Sequence, residues 1–303
     1  MGKAFVKLIE DKKAALAATA GLTLKLQYII DKENSADFDA MLSKRDVDLA
    51  VIATPTDRHS GEPGYTYIKK ALQNGIHVVT ADKGPILLAY DELHEIAARQ
   101  NVRLGIGCTT GGALPAINGG LIDLAGAEIL AIEGVLNGTS NFILDEMREK
   151  NSGYAEALAT AQKLGIAETD PTLDVEGWDT AIKLLILVNV LLRQRKTLAD
   201  IQVRGITAIS AADIAQAARQ GQKYRLLGQA AYKNGALIME VAPKPLGPEH
   251  PFYIVDGKNK AVRYISDTMG DLTIIGGASG LIPAAASLLR DIVNIHKSFA
   301  TIL

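Results

Sequence analysis

The densest set of chemically capable side chains lies between Ala167 and Lys183, a stretch holding Glu168, Asp170, Asp174, Glu176, Asp179 and Lys183. Asp179 and Lys183 are four residues apart, so in a helix they share one face. On a solvated surface such a pair contributes only a few tenths of a kcal/mol. The residues that follow, Leu184-Leu185-Ile186-Leu187, are all apolar and point instead to a buried helix. A buried Lys needs a partner or a shifted pKa. A Lys of lowered pKa can exchange a proton with a substrate oxygen. A solvated acidic loop with one surface ion pair is the competing reading.

Four other places carry polar chemistry. Lys83, in Thr80-Ala81-Asp82-Lys83-Gly84-Pro85, follows the predicted strand His77–Thr80, and ligands of open parallel sheets bind outside such strand ends. An exposed loop Lys is the commoner case. Asn137-Gly138-Thr139-Ser140-Asn141 reads as a strand-to-helix turn: either a helix cap, or a backbone and hydroxyl cradle for a small carboxylate. Thr109-Thr110-Gly111-Gly112-Ala113-Leu114-Pro115 is either a tight linking turn or a set of carbonyls for a hard cation. Asp31 ends a predicted strand, where a carboxylate accepts hydrogen bonds from an adenosine ribose and favours NAD. Its neighbour Lys32 could instead meet a 2′-phosphate, so NAD and NADP both stay open. Cys108 reads as a small core residue, because no His is patterned as its base.

The elements that must position these groups follow from hydrophobic periodicity. Helices are predicted over 3–16, 65–73 and 90–100, and strands over 24–30, 47–53, 77–80 and 102–106. Strands alternating with helices imply a parallel sheet. The chain opens directly in a helix, and Gly2 stands where the last glycine of a phosphate-binding turn would be. Further on, strands are predicted over 129–136, 201–206, 224–232, 236–243, 261–266 and 271–275. Helices are predicted there over 141–150, 155–164 and 178–192, with a last helix over 284–299 returning to the first domain. The expected organisation is a nucleotide-binding domain over 1–128, completed by about 276–303, and a substrate-binding and dimerisation domain over 129–275. The expected fold class is α/β: a Rossmann-like parallel-sheet nucleotide-binding domain plus an α+β catalytic and dimerisation domain.

Composition narrows the function classes. The chain has 303 residues, 48% of them apolar, and a net charge of −2, which gives no pull toward nucleic acid or an anionic membrane. One cysteine allows no intrachain disulfide and fits a reducing cytoplasm. The longest apolar run, 184–192, is interrupted by Asn189 and is too short to span a bilayer. The N-terminus lacks the pattern of a signal peptide.

Several segments together resemble homoserine dehydrogenases along nearly the whole chain: Gly61-Glu62-Pro63-Gly64, Thr80–Pro85, Thr109–Pro115, L-N-G-T-S-N-F-I-L at 136–144, and 165–183. The last two are specific in combination. The resemblance implies the short form of the family, reversibly interconverting L-homoserine and L-aspartate 4-semialdehyde with NAD or NADP in threonine and methionine synthesis. It implies Lys183 as acid/base, Asp179 orienting it, and Lys83 beside the nicotinamide with a role that is shared. Glu168 and Asp174 would meet the substrate ammonium, with Asn137, Gly138 and Thr139 as further substrate contacts. Gly2, Asp31, Thr54, Lys83 and Gly280 would hold the cofactor. A sodium-like monovalent cation would sit on carbonyls of Gly107, Thr110, Gly112 and Leu114, although the family commonly has Glu where this chain has Gly107. A homodimer, with strands between Ile201 and Ser266 pairing across a two-fold axis, is the implied assembly. The family's opening strand and the first two glycines of its G-x-G-x-x-G turn have no counterpart in this sequence. Two alternatives stand beside this reading. One is a non-enzymatic relative that has lost dinucleotide binding and acts as a ligand-binding or partner subunit. The other is an aspartate-semialdehyde dehydrogenase, which would need a catalytic Cys with a His.

Overall fold

Phe5 and Ile9 form the buried face of a helix over Gly2–Ala20, closed by Gly21 in the left-handed region at φ 62°. In the computed structural model, which describes residues 1–297, this helix and the C-terminal helix Leu281–His296 belong to one unit made of Met1–Ala113 and the segment from Gly280 onward. Ala285, Leu288, Leu289 and Ile292 recur at helical spacing and pack with Phe5, Ile9, Val79 and Cys108 in a single apolar cluster. Each large side chain so buried contributes about 1.5–3 kcal/mol. Cys108 is therefore a core residue, as expected. The predicted end of the last helix at Phe299 lies outside the described residues.

The sheet of this unit is parallel and three-stranded, in the order β1 (Leu49–Ile52), β2 (His77–Thr80), β3 (Leu104–Gly105). The predicted strand over 24–30 is not a strand. It carries no regular secondary structure and has no ladder partner among the described residues, and a strand exists only through such pairing. The helix predicted from Tyr90 begins at Lys83 and runs to Arg99, with non-helical backbone at Ala89. Asp82 caps it, its side chain accepting from the Gly84 amide. A helix over Asp37–Lys44 was not anticipated.

The second unit covers Leu114–Ser279. Its six-stranded sheet runs β5 (Ile201–Val203), β7 (Ala236–Leu246), β6 (Lys223–Lys233), β4 (Ile129–Val135), β8 (Lys260–Ser266), β9 (Asp271–Gly276). The β5–β7 pair is parallel and the other pairs are antiparallel. The helices Gly138–Lys150 and Trp178–Leu191 pack on this sheet. Gly228 of β6 permits the approach of the second helix, because a Cβ there would lie 3.1 Å from Thr180 Cγ2. A helix over Ala211–Arg219, closed by a Ser210–Asp213 capping box, was also not anticipated.

The unit boundaries fall at 113/114 and 279/280 instead of 128/129 and 275/276. The reason is local packing. The helical turns over 116–123 carry Gly119 and Gly120, where added Cβ atoms would press on Ile274 and Leu191, and the Tyr264 hydroxyl donates to the Ala116 carbonyl. These residues are thereby tied to the second unit.

Candidate active site

Gly177 starts the Trp178–Leu191 helix with φ 85°, and a Cβ there would crowd Val241 and Val203 at 3.2 and 3.3 Å. That conformation suits glycine, and it puts Asp179 in the first helical turn, where the helix dipole favours a carboxylate. One turn later Lys183 places its Nζ 2.6 Å from Asp179 Oδ2. The same ammonium donates to the Leu136 carbonyl at 2.8 Å. Among the described residues these are two partners for three N–H donors, so one donor direction is left for a substrate oxygen. The Lys183 and Asp179 side chains are only 15% and 10% exposed, the buried arrangement anticipated from the apolar helix.

β4 is followed by Leu136 and Asn137, and Asn137 brings in a second carboxylate. Its Nδ2 donates to Asp174 Oδ1 at 2.6 Å and to Asp179 Oδ2 at 2.8 Å. Its Oδ1 accepts from the Ser140 amide at 2.9 Å and so caps the Gly138–Lys150 helix. Asn137 thus acts both as a cap and as the bridge of the polar cluster. Burial pushes the Asp174 carboxyl above its ordinary range, and the nearby Asp179 charge pushes the same way. Asn137, Lys183 and Thr139 pull it back only in part. A carboxylate held in that condition gains from a cation brought beside it. Thr139 Oγ1 also donates to the Ile166 carbonyl at 3.2 Å. Gly138 has no room for a Cβ, which would lie 2.8 Å from the Lys258 carbonyl oxygen.

The structure does not bring every acidic residue of 167–183 into this cluster. Glu168 is exposed, and among the described residues no hydrogen bond involves its carboxylate, while its backbone carbonyl accepts from Gln162 at 3.2 Å. Asp170 folds back on Thr172, at 3.1 Å from the amide and 2.5 Å from the hydroxyl. Glu176 accepts from the Thr207 hydroxyl at 3.1 Å.

In the first unit, Thr54 and the Asp82-Lys83 step meet where β1 and β2 end. Thr54 Oγ1 donates to Asp82 Oδ2 at 2.6 Å, and the Gly84 amide donates to Asp82 Oδ1 at 3.0 Å. Asp82 is fully buried, and burial raises its pKa against those hydrogen bonds. The Lys83 amide donates to Thr56 Oγ1 at 3.4 Å, and its side chain is half-buried. A Cβ on Gly64 would overlap Asp82 Oδ2, and one on Gly84 would overlap the Asp57 carbonyl, so Gly61–Gly64 and Gly84 mark close backbone approach. Asp82 is the residue of this corner that the sequence reading missed; an Asp two residues before Gly-Pro was the available signal.

The remaining cofactor candidates are exposed and open. Gly2 starts the opening helix, which has no side-chain cap, and nothing lies within 4 Å of a Cβ built on it. Gly280, at φ 123°, precedes the C-terminal helix and has only Pro283 Cδ nearby, at 3.9 Å. Open backbone at helix N-termini fits phosphate groups. Asp31 is exposed just before a bend, its Oδ1 accepting from the Glu33 amide at 2.9 Å.

Residues implied to hold a monovalent cation fit it poorly. Cys108–Gly111 is a helical turn followed by Gly112 at φ 58°, and Leu114 is buried. Gly107 offers no side chain, and its carbonyl already accepts from Arg290 Nη2 at 3.4 Å. Arg290 Nη1 donates to the Ala113 carbonyl at 3.2 Å. Among the described residues no group of three or more His, Cys, Asp or Glu could hold a metal ion.

A family profile described as an oxidoreductase family with an NAD-binding Rossmann fold matches residues 6–108. With the parallel sheet, this defines the class: a Rossmann-type, NAD-binding oxidoreductase. The profile described as homoserine dehydrogenase matches residues 115–293, which include the whole Asn137–Lys183 cluster. The chain is 38% identical over 276 residues to the homoserine dehydrogenase of Methanocaldococcus jannaschii, covering 91% of this chain and 81% of that one. It is 39% identical over 261 residues to an NAD(+)-dependent homoserine dehydrogenase of Pseudomonas canavaninivorans, covering 86% and 74%. The solved homoserine dehydrogenase of Thiobacillus denitrificans matches with a TM-score of 0.88 at 26% identity, covering 99% of this chain and 72% of that one. The chain belongs to the homoserine dehydrogenase family.

Proposed function

We propose that this chain interconverts L-homoserine and L-aspartate 4-semialdehyde through the Asn137–Asp174–Asp179–Lys183 cluster. The observation that carries this reading is one ammonium, Lys183, held by Asp179 and the Leu136 carbonyl with a donor to spare. In oxidation, the substrate hydroxyl passes its proton to the Lys183 amine as the carbinol hydride leaves; in reduction, Lys183 returns it to the new alkoxide. Asp179 orients Lys183. Asp174 receives the substrate ammonium, with the exposed Glu168 as a further carboxylate for it and Gly138 and Thr139 lining the carboxylate end. The dinucleotide, NAD or NADP, supplies the hydride acceptor when bound, and Gly2, Asp31, Thr54, Lys83 and Gly280 are the groups proposed to hold it. The family assignment over most of the chain does not favour the non-enzymatic alternative.

A homodimer is supported by apolar side chains left open on the second unit's sheet, among them Ile238 at 51% exposed. A cytoplasmic setting is supported by the single buried cysteine. No helix among the described residues is long and apolar enough to cross a membrane. The deciding experiment is homoserine-dependent reduction of NAD and of NADP by the purified chain, with Lys183→Ala as control. Turnover in the parent and its loss in the variant is the expected result. A folded parent with neither turnover nor dinucleotide affinity would favour the non-enzymatic relative.

A further inference from the structure

Gly107 lies between two neighbouring residues of the C-terminal helix. Its amide donates to Asp291 Oδ2 at 2.8 Å, and its carbonyl accepts from Arg290 Nη2 at 3.4 Å. The same guanidinium reaches the Ala113 carbonyl at 3.2 Å and Ser287 Oγ at 2.7 Å. Its Nε lies 3.7 Å from Asp291 Oδ1. Asp291 is buried, and among the described residues its ion-pair partner is this guanidinium. One planar cation therefore holds both ends of the 107–113 segment, the segment to which the family resemblance assigns a monovalent metal ion.

We propose that Arg290 is the built-in cation of this segment, and that it replaces a bound Na⁺ or K⁺ in this protein. The chemistry is matched. A guanidinium keeps its charge at every accessible pH and presents a rigid fork of donors, so it can hold two carbonyl oxygens at fixed spacing. A metal ion on the Gly107 oxygen would share that acceptor with a fixed like charge. Gly107 carries no carboxylate of its own, and the nearby Asp291 carboxylate is already engaged by the Gly107 amide and by Arg290. One observation points the other way: Thr110 Oγ1 is buried without a hydrogen-bond partner among the described residues, an oxygen that a metal ion or a water could use. A lone hydroxyl is a weak site beside a guanidinium, and a water satisfies it equally well.

The test compares thermal unfolding and the sodium NMR line width of the protein in sodium, potassium and choline chloride at equal ionic strength, for the parent and for Arg290→Ala. These readouts need no turnover, so they stand apart from the proposed reaction. The parent is expected to melt at one temperature in all three salts and to leave the sodium line unbroadened. Arg290→Ala is expected to melt lower and to regain a few degrees, saturably, with sodium or with millimolar guanidinium, while choline does nothing. A saturable sodium-dependent rise in the parent, abolished by Thr110→Ala, would overturn the proposal. So would an Arg290→Ala protein indifferent to every small cation. If Arg290→Ala does not fold, the parent comparison decides alone: no sodium dependence supports the proposal and dependence overturns it.

Discussion

Two cations in this molecule, each beside a buried carboxylate, have opposite designs. Lys183 sits one helical turn from Asp179, uses two of its donors within the protein and keeps one direction open. Arg290 places Nη donors on Gly107, Ala113 and Ser287, and lies against its sequence neighbour Asp291, while its Nε is buried without a hydrogen-bond partner among the described residues. An ammonium can give up a proton, whereas a guanidinium does not. The first arrangement suits a step that moves a proton; the second suits a permanent brace. The lesson is that burial and pairing alone do not mark a catalytic group. The type of cation, and whether it can give up a proton, does.

The largest effect expected from breaking this contrast is at Lys183. Lys183→Ala should lower kcat/KM for homoserine by about 10²–10⁴, and Lys183→Arg should do nearly as badly although charge and fold survive. A rate for Lys183→Arg close to the parent's would reduce Lys183 to a fixed charge and erase the distinction.

Next is Asp174→Asn, which should raise the homoserine KM by about 10–100-fold, the worth of a hydrogen bond to a charged group, with a smaller change in kcat. The same variant has a pH signature. Asp174 has a folded pKa above its ordinary 3.8, so its ionisation costs stability. That cost is absent below the ordinary value, grows as pH rises through the raised folded value, and is constant beyond it. Asp174→Asn should therefore melt above the parent at neutral pH, with the gap closing on acidification. A gap that widens toward acid would reverse the assigned shift.

Smaller still is Gly64→Ala. Its Cβ would overlap Asp82 Oδ2 and press on Thr54 Oγ1 at 2.9 Å, so a loss of about 1–3 kcal/mol in denaturant unfolding is expected. Unchanged stability would show that the Thr54–Asp82 corner yields. The smallest effect belongs to Glu168→Gln. Glu168 is exposed and outside the hydrogen-bonded cluster, so its KM effect should be well below that of Asp174→Asn. An equal or larger effect would make Glu168 the main ammonium site.

Much of the site was legible before folding because its key pair is local. Asp179 and Lys183 meet through helix periodicity, and the apolar run after them announces burial. The 77–80 strand ran as expected, and the order of elements implied the parallel sheet. Misses came where an element depends on a distant partner. Residues 24–30 have strand composition but no ladder. Nothing at 116–123 signals that Tyr264, far along the chain, fastens it to the second unit.

By itself the sequence determined the helix pairing of Asp179 with Lys183, the turn at Asn137, the class of fold and the family resemblance, because these depend on spacing of a few residues or on long runs of pattern. Only the tertiary structure decided that Asn137 bridges Asp174 and Asp179, that Glu168, Asp170 and Glu176 do not join them, and that Arg290 braces Gly107. Those contacts join residues tens to nearly two hundred positions apart. Their existence depends on which backbone segments pack side by side, and no local periodicity encodes that.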